Sequence, residues 1–97
     1  MARKIVWSTA ANNDLLEILE YWNLRNQSKT YSKRLLKEFN LIIKLLQKFP
    51  ELGIKTNRKN LRIKIFKAYK IFYEIGEYSI VILRIWDTRQ NPNKLKI

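Results

Sequence analysis

Basic side chains are concentrated in the second half of the chain, where they could bind phosphate groups or act on them. Positions 55–70 hold seven Lys and Arg residues and no acidic residue. An arginine guanidinium binds phosphate oxygens through two parallel hydrogen bonds, whereas a lysine ammonium acts as a point charge. The cluster predicts a phosphate-binding surface, and the alternative is a solvated surface that keeps the protein soluble. The seven residues are Lys55, Arg58, Lys59, Arg62, Lys64, Lys67 and Lys70.

The charge of the whole chain also indicates an anionic partner. Twenty Lys and Arg residues against eight Asp and Glu residues give a net charge of +12 over 97 residues. A balance of this size favours nucleic acid, a ribosome or an acidic protein as the partner. The length fits one domain, which we place at residues 1–97.

Several kinds of catalytic centre are excluded by residues that the chain lacks. It has no His and no Cys, so the usual zinc sites and the Cys–His and Ser–His nucleophiles cannot form. The only glycines are Gly53 and Gly76, which cannot build a phosphate-binding glycine loop. Asp14, Glu17 and Glu20 lie near the start of a predicted helix, where we interpret them as surface charges that favour the helix dipole. We therefore expect no cofactor and no metal.

The hydropathy pattern predicts a cytoplasmic protein that does not enter a membrane. The longest apolar run, Ile80–Leu83, is far shorter than the roughly 20 residues that cross a bilayer. Arg3 and Lys4 are followed by three apolar residues before Ser8, so no signal peptide is indicated. The absence of cysteine also excludes disulfides, which are typical of oxidising compartments.

Apolar residues recur at helical spacing in the first half of the chain. One series predicts a helix from Ser8 to Leu24, with Ser8 or Thr9 as its N-cap. A second series predicts a helix from Thr30 to Phe49 that ends before Pro50. Two long amphipathic helices joined by a short turn should pack as an antiparallel hairpin.

After Gly53 the apolar period changes to two, which is typical of strands. Alternating runs occur at 61–65 and 71–75, and a run rich in Ile, Val and aromatic residues occupies Tyr78–Trp86. Together with a short first strand at Lys4–Trp7, these runs predict an α+β fold of order β-α-α-β-β-β. The helical hairpin should cover one face of a four-stranded, mainly antiparallel sheet.

The other sheet face is predicted to carry the basic side chains. Arg62 and Lys64 are two residues apart on one strand and therefore share a face. Lys70 begins the neighbouring antiparallel strand, and Arg89 follows the last strand. We expect the four to meet in one cationic patch.

Four stretches of the chain, in order, resemble the RelE/ParE family of toxins. WSTAANNDLLEILEYW is similar to the opening of these toxins, and LLQKFPELG to the end of their second helix. NLRIKIFKAYKIFYEI is similar to their second and third strands, and ILRIWDTRQNP to their last strand and its basic exit. The resemblance runs from about Ile5 to Pro92. It implies the same fold and a toxin of a type II toxin–antitoxin module.

The resemblance implies partners as well as a fold. Such toxins are wrapped by a cognate antitoxin whose amphipathic segment docks on them, which gives a hetero-oligomer. RelE-like members cut mRNA on the ribosome without a metal, and ParE-like members poison DNA gyrase, so the target is either ribosome-bound mRNA or gyrase. The alternative class is a non-catalytic basic module that binds RNA or the ribosome.

Candidate catalytic residues also follow from the resemblance. Arg62 and Lys64 fall where RelE-like strands carry basic catalytic or RNA-binding groups, Lys70 where RelE usually has arginine, and Arg89 where an arginine contacts the reacting phosphate. Attack by the ribose 2′-OH would need Arg62 and Arg89 to stabilise the transition state, with Lys64 or Lys70 as base. The chain has neither the His nor the Tyr, after Tyr78, with which RelE-like enzymes often end.

A wider set is expected to contact a partner protein or nucleic acid. On the gyrase hypothesis no catalytic group is required, and the basic face and the C-terminal segment at 86–95 act as a docking surface. Three aromatic residues that belong less clearly to the core, Tyr69, Phe72 and Tyr78, are available for such contacts. The residues predicted to bind a partner or nucleic acid are Arg58, Lys59, Arg84 and Trp86.

Overall fold

The computed structural model describes residues 3–90 and residue 95. Within this part the helices are α1 (Thr9–Asn26) and α2 (Thr30–Lys48), and a 3-10 helix (Pro50–Leu52) follows them. The strands are β1 (Lys4–Trp7), β2 (Ile54–Lys55), β3 (Leu61–Phe66), β4 (Tyr69–Ile75) and β5 (Ser79–Asp87). Neither helix of the described part combines the length and the apolar character that crossing a membrane requires.

The strands form one mixed sheet in the order β1-β5-β4-β3-β2. Strand β1 pairs with β5 in parallel, and every other pairing is antiparallel. The predicted α+β fold, a helical hairpin on a mainly antiparallel sheet, is confirmed. The fifth strand, β2, was not predicted, because two residues that pair with Ile63 and Arg62 are too few to show an alternating pattern.

Ser8 links the start of α1 to the sheet. Its Oγ accepts a hydrogen bond from the Ala11 N–H at 3.0 Å, which is the bond an N-cap side chain makes. The same hydroxyl donates to the Leu83 carbonyl of β5 at 2.8 Å. The residue predicted as a cap from the sequence therefore also fixes where α1 leaves the sheet.

The core lies between the helical hairpin and one face of the sheet. The apolar stripes of α1 and α2 meet alternate residues of β4 and β5 there. Each large side chain buried in this way contributes about 1.5–3 kcal/mol relative to an exposed one. The largest fully buried side chains are Leu35, Phe39, Leu46, Ile71, Tyr73, Ile80 and Ile82.

The register of the β3–β4 hairpin decides which side chains of β3 face the helices. Across the two-residue turn at 67–68, Arg62 pairs with Tyr73 and Lys64 pairs with Ile71. Residues directly opposite each other in an antiparallel pair point to the same face. Because Tyr73 and Ile71 belong to the core under the helices, Arg62 and Lys64 also lie on the helix side. Their predicted position on the far face is wrong.

The far face of the sheet carries a small apolar cluster of its own. Lys70 lies on this face, opposite Ile65 on one side and Trp86 on the other. Lys70 is therefore on the face predicted for it, but without Arg62 and Lys64. We call the apolar residues the far-face cluster; its buried members are Leu61, Phe72 and Trp86, with Ile63, Leu83 and Leu95 packed against them.

Helix α2 offers a matched test of this packing. Leu46 is fully buried, whereas Leu41 on the same helix is 58% exposed. We expect Leu46→Ala to lower the free energy of unfolding by about 2–5 kcal/mol, because a buried leucine is replaced by a cavity. Leu41→Ala should change it by less than about 0.5 kcal/mol. Urea unfolding followed by circular dichroism measures both, and similar losses in the two variants would contradict the described core.

Candidate functional site: a mixed-charge cleft and a separate cationic cleft

A cleft of about 470 Å³ lies between α1 and the C-terminal half of β5. We call it the α1–β5 cleft. Three predicted site residues line it, Arg84, Trp86 and Arg89. It contains more acidic than basic side chains, so it does not attract phosphate as a whole. The charged residues that line it are Asp14, Glu17, Arg84, Asp87 and Arg89.

Asp14 and Arg84 form a two-point ion pair at one side of this cleft. The Arg84 Nε and Nη2 donate to the two carboxylate oxygens of Asp14 at 2.7 and 3.0 Å. The backbone N–H of Ile85 donates to the same carboxylate at 3.0 Å. The hydrogen bonds that Arg84 donates to the Asp14 carboxylate raise the pKa of Arg84, so this guanidinium stays charged.

The position of that ion pair follows from the end of β1. The last pair of β1 with β5 joins Trp7 to Ile82, so within the described residues the edge of β5 beyond Ile82 has no strand beside it. Leu83 is unpaired with β4 at a bulge, where Phe72 pairs with Arg84 and Tyr73 with Ile82. Asp14 reaches down from α1 and accepts the N–H that this edge would leave unpaired.

Arg89 is already bound to an acidic neighbour. Its Nε and Nη2 donate to the two oxygens of Asp87 at 2.9 and 2.6 Å. The guanidinium also lies over the rings of Trp22 and Tyr21, 5.6 and 5.9 Å from their centroids. The hydrogen bonds that Arg89 donates to the Asp87 carboxylate lower the pKa of Asp87 and raise the pKa of Arg89. Binding a phosphate through both nitrogens would require Arg89 to leave Asp87.

Arg62 supports the loop after α2. Its Nη1 donates to the carbonyls of Gly53 and Glu51 at 2.9 and 3.2 Å. The Tyr73 hydroxyl joins the same loop, because it donates to the Pro50 carbonyl at 2.6 Å and accepts from the Gly53 N–H at 2.8 Å. Burial raises the pKa of this phenol. A Cβ at position 53 would overlap the Tyr73 ring, so only glycine fits there.

A second cleft, of about 370 Å³, lies between the β2–β3 connection and the ends of β3 and β4. We call it the β2–β3 cleft. Arg58 and Lys59 line it, as predicted binding residues, and Arg58 lies 3.9 Å from Glu74 across its rim. Four basic residues and one acidic residue line this cleft, so its electrostatic character suits an anion. Its charged lining residues are Lys55, Arg58, Lys59, Arg62 and Glu51.

The four predicted catalytic residues are not brought together. Arg62 pairs with Tyr73, near one end of the sheet, and Arg89 follows the opposite end, where Tyr69 pairs with Asp87. Tyr69 and Tyr73 are four residues apart, which is roughly 13 Å along a strand. Lys64 lies on the helix side and Lys70 on the far face. The predicted single patch is wrong, because the turn at 67–68 and the length of the strands separate its members.

The remaining predicted contacts fall into buried and exposed groups. Trp86, Phe72 and Tyr69 are 6%, 6% and 2% exposed, so they are core residues of one face or the other. Tyr69 accepts a hydrogen bond from the Trp22 indole at 2.9 Å. Tyr78 is 78% exposed and remains available for a partner. Of the C-terminal segment at 86–95, residues 91–94 lie outside the described residues, and Leu95 packs against the far-face cluster.

Asp14 and Tyr73 are the residues whose roles the sequence did not indicate. Asp14 was interpreted as a surface charge, yet it is 13% exposed in its side chain and holds Arg84. Tyr73 belongs to the alternating run at 71–75, but nothing in its local sequence shows that its hydroxyl meets a loop 20 residues earlier. Pro50 and Gly53 mark that loop as irregular, and an irregular loop must find hydrogen-bond partners somewhere.

Solved structures share this fold. The chain aligns with one from the chromosomal ParDE toxin–antitoxin system of P. aeruginosa at 17% identity and a TM-score of 0.73, covering 87% of this chain and 94% of that one. It aligns with a chain of the E. coli DinJ–YafQ toxin–antitoxin complex at 10% identity and a TM-score of 0.59, covering 92% and 96%. No curated protein matches the chain significantly. At these identities the similarity defines a small α+β fold and nothing more.

The family follows from a separate match. Residues 5–92 match the model of the ParE toxin of the type II toxin–antitoxin system parDE. The chain therefore belongs to the ParE toxin family, and the predicted RelE/ParE relationship is confirmed.

The loop held by Tyr73 is testable with a single-atom change. Tyr73→Phe removes the hydroxyl and leaves the Pro50 carbonyl and the Gly53 N–H without their partner. We expect the free energy of unfolding to fall by about 1–3 kcal/mol, the cost of leaving buried polar groups unpaired. Tyr78→Phe is the matched control and should have no measurable effect. Thermal and urea unfolding give both values, and an unchanged stability of Tyr73→Phe would show that the loop is not held in this way.

The Asp87–Arg89 pair predicts a pH effect. Because the folded-state pKa of Asp87 lies below its unfolded value, its contribution to stability is present above the unfolded value of about 3.9 and is lost as the pH falls through the folded value. Arg89→Gln should raise the pKa of Asp87 toward its ordinary value. Carboxyl-carbon NMR titration measures the shift. Lys4→Gln, a control that removes an exposed charge from β1, should leave the Asp87 titration unchanged.

Proposed function

We propose that this chain is a cytoplasmic toxin that arrests growth by binding DNA gyrase, and that a cognate antitoxin neutralises it. Gyrase is favoured over mRNA as the target because the four basic residues on which RNA cleavage would depend lie apart in the structure. Membership of the ParE family supports the same choice, since the resemblance of the sequence to ParE-like toxins implies gyrase as their target.

RNA cleavage without a metal makes geometric demands that a docking toxin does not make. A base, an acid and a cation must all lie within hydrogen-bond reach of one phosphate. Arg62 is bonded to loop carbonyls and Arg89 to Asp87, while Lys64 and Lys70 lie on opposite faces of the sheet. A toxin that acts by binding needs only an accessible surface that complements its target.

The antitoxin is expected to be an acidic, amphipathic polypeptide. The net charge of +12 favours an acidic partner and would speed the encounter between the two proteins. Apolar contacts would then determine how long the complex persists. Co-expressed toxin and antitoxin should co-elute in gel filtration at low and at moderate salt, and separation at both would exclude this partner.

Two assays run in parallel distinguish the targets. Purified toxin should inhibit supercoiling of plasmid DNA by gyrase and should leave ribosome-bound mRNA intact. Cleavage of mRNA together with unimpaired supercoiling would overturn the proposal and support the RNA-cutting alternative. Binding to ribosomes without cleavage, and without growth arrest on expression, would support the non-catalytic RNA-binding module instead.

In the same assays, single substitutions distinguish a toxin that acts by docking on its target from one that acts by catalysis. We expect Lys64→Gln and Lys70→Gln each to change toxicity by less than about tenfold, because neither side chain acts on a reacting atom. Loss of a general base would instead lower activity by about 100-fold or more. The measurement is the toxin concentration that halves supercoiling, alongside growth after induction. A loss of 100-fold in a folded variant would contradict the docking mechanism.

A further inference from the structure

A row of four lysines runs along the exposed side of α2. Lys33, Lys37, Lys44 and Lys48 are spaced four, seven and four residues apart, and all are exposed. At 3.6 residues per turn these positions fall within about 60° of the helix circumference. They span 15 residues, or roughly 22 Å along the axis. We call this row the lysine ridge.

The ridge carries no compensating acid. Among the described residues none of its four lysines forms a salt bridge. The one acid of α2, Glu38, lies off the ridge and pairs with Lys67 at 3.3 Å. The other acids of the helical hairpin lie on α1, where Asp14 is bound to Arg84. The ridge is therefore a linear, unneutralised array of positive charge.

Packing holds the ridge in a fixed orientation. The buried residues of α2 lie on the side of the helix opposite the ridge, where they pack into the core. A helix anchored in this way cannot turn its lysines toward the protein. Those buried residues are Ser32, Leu35, Phe39, Ile43 and Leu46.

The positive surface continues past the end of the helix. Lys48 and Arg3 line a groove of about 420 Å³ beside the 3-10 helix. Glu51 and Ile75 line both this groove and the β2–β3 cleft, which places the two side by side. The ridge thus leads toward Lys55 and its basic neighbours.

We propose that the lysine ridge binds the sugar–phosphate backbone of duplex DNA. This inference rests on the proposed function, because gyrase holds duplex DNA and a toxin docked on gyrase would contact the enzyme and its DNA. A straight array of roughly 22 Å matches about six base pairs of a rigid duplex, at 3.4 Å each. Between Lys37 and Lys44 the ridge side exposes Asn40 and Leu41, and within the described part of the chain an aromatic ring meets the ridge at its end, where the ring centroid of Phe49 lies 5.6 Å from the Lys48 Nζ. Single-stranded RNA would need aromatic platforms on which its bases stack.

Binding of DNA through the ridge should weaken with rising salt concentration by an amount that the number of lysines sets. Each phosphate neutralised contributes about −0.9 to the slope of the logarithm of affinity against the logarithm of salt concentration. Lys37→Gln/Lys44→Gln should therefore reduce the magnitude of the slope by about 1.8. Between 50 and 200 mM salt the variant should therefore lose about twelvefold less affinity for DNA than the unaltered protein does, and the difference should be the same for different DNA sequences.

The experiment is fluorescence anisotropy of a labelled 30-base-pair duplex titrated with purified toxin over a range of salt. The control is Lys4→Gln/Arg25→Gln, which also lowers the net charge by two from +12 but changes exposed residues of β1 and α1 instead of the ridge on α2. Its slope should change by less than about one, the contribution of a single phosphate contact. Glutamine preserves helix propensity, and unchanged melting temperatures will show that both variants are folded.

The outcomes separate this inference from the proposed function. An unchanged slope in Lys37→Gln/Lys44→Gln would overturn the ridge as a DNA site, whatever the toxin does to gyrase. Tighter binding of single-stranded RNA than of the duplex would overturn it. So would binding of polyglutamate as tightly as the duplex, if the ridge variant lost the same affinity for both. Binding to the duplex with the predicted slope, but without inhibition of supercoiling, would support the ridge and remove gyrase as the target.

Discussion

The double pairing of β5 is the constraint on which the rest of the fold depends. This strand lies between β1 and β4 and supplies Ile80, Ile82 and Ile85 to the core. Its nine residues exceed the four of β1, so half of one edge would be left open. The carboxylate of Asp14 and the N-cap of α1 occupy that edge. The start of α1 is thereby tied to the sheet at two points, and the path of the hairpin across the sheet follows.

Ion pairing within the fold distinguishes the basic residues that are already bound to an acid from those that are not. Four of the eight acids, Asp14, Glu38, Glu74 and Asp87, have basic partners among the described residues. Arg84 and Arg89 are paired in this way, whereas the lysines of α2 form no salt bridge with any residue that the structure describes. The chain therefore has two kinds of basic residue: those that complete the fold, such as Arg84 and Arg89, and those that remain available to an anion, such as the ridge lysines. The net charge alone does not distinguish them.

The same division changes how the candidate residues are understood. Arginine is suited to phosphate because its planar group donates in parallel, but loop carbonyls and carboxylates use the same geometry. Arg62 and Arg89 were selected from the sequence for that chemistry, and the structure uses it to hold a loop and an adjacent acid. A residue type therefore indicates what a side chain can bind, and its neighbours in space decide what it does bind.

The sequence by itself determined the order of the helices and of the four longer strands, the cap at Ser8, the end of α2 and the core face of β4 at Ile71 and Tyr73, because these depend on residues close together in the chain. Only the tertiary structure decided the face of β3, since it depends on where a two-residue turn falls and not on the alternation of Leu61 with Arg62. The partners of Asp14 and Tyr73 lie 70 and 20 residues away, beyond any local pattern. The long-range pairing of the strands, which local periodicity does not encode, placed the four basic residues of the predicted patch apart.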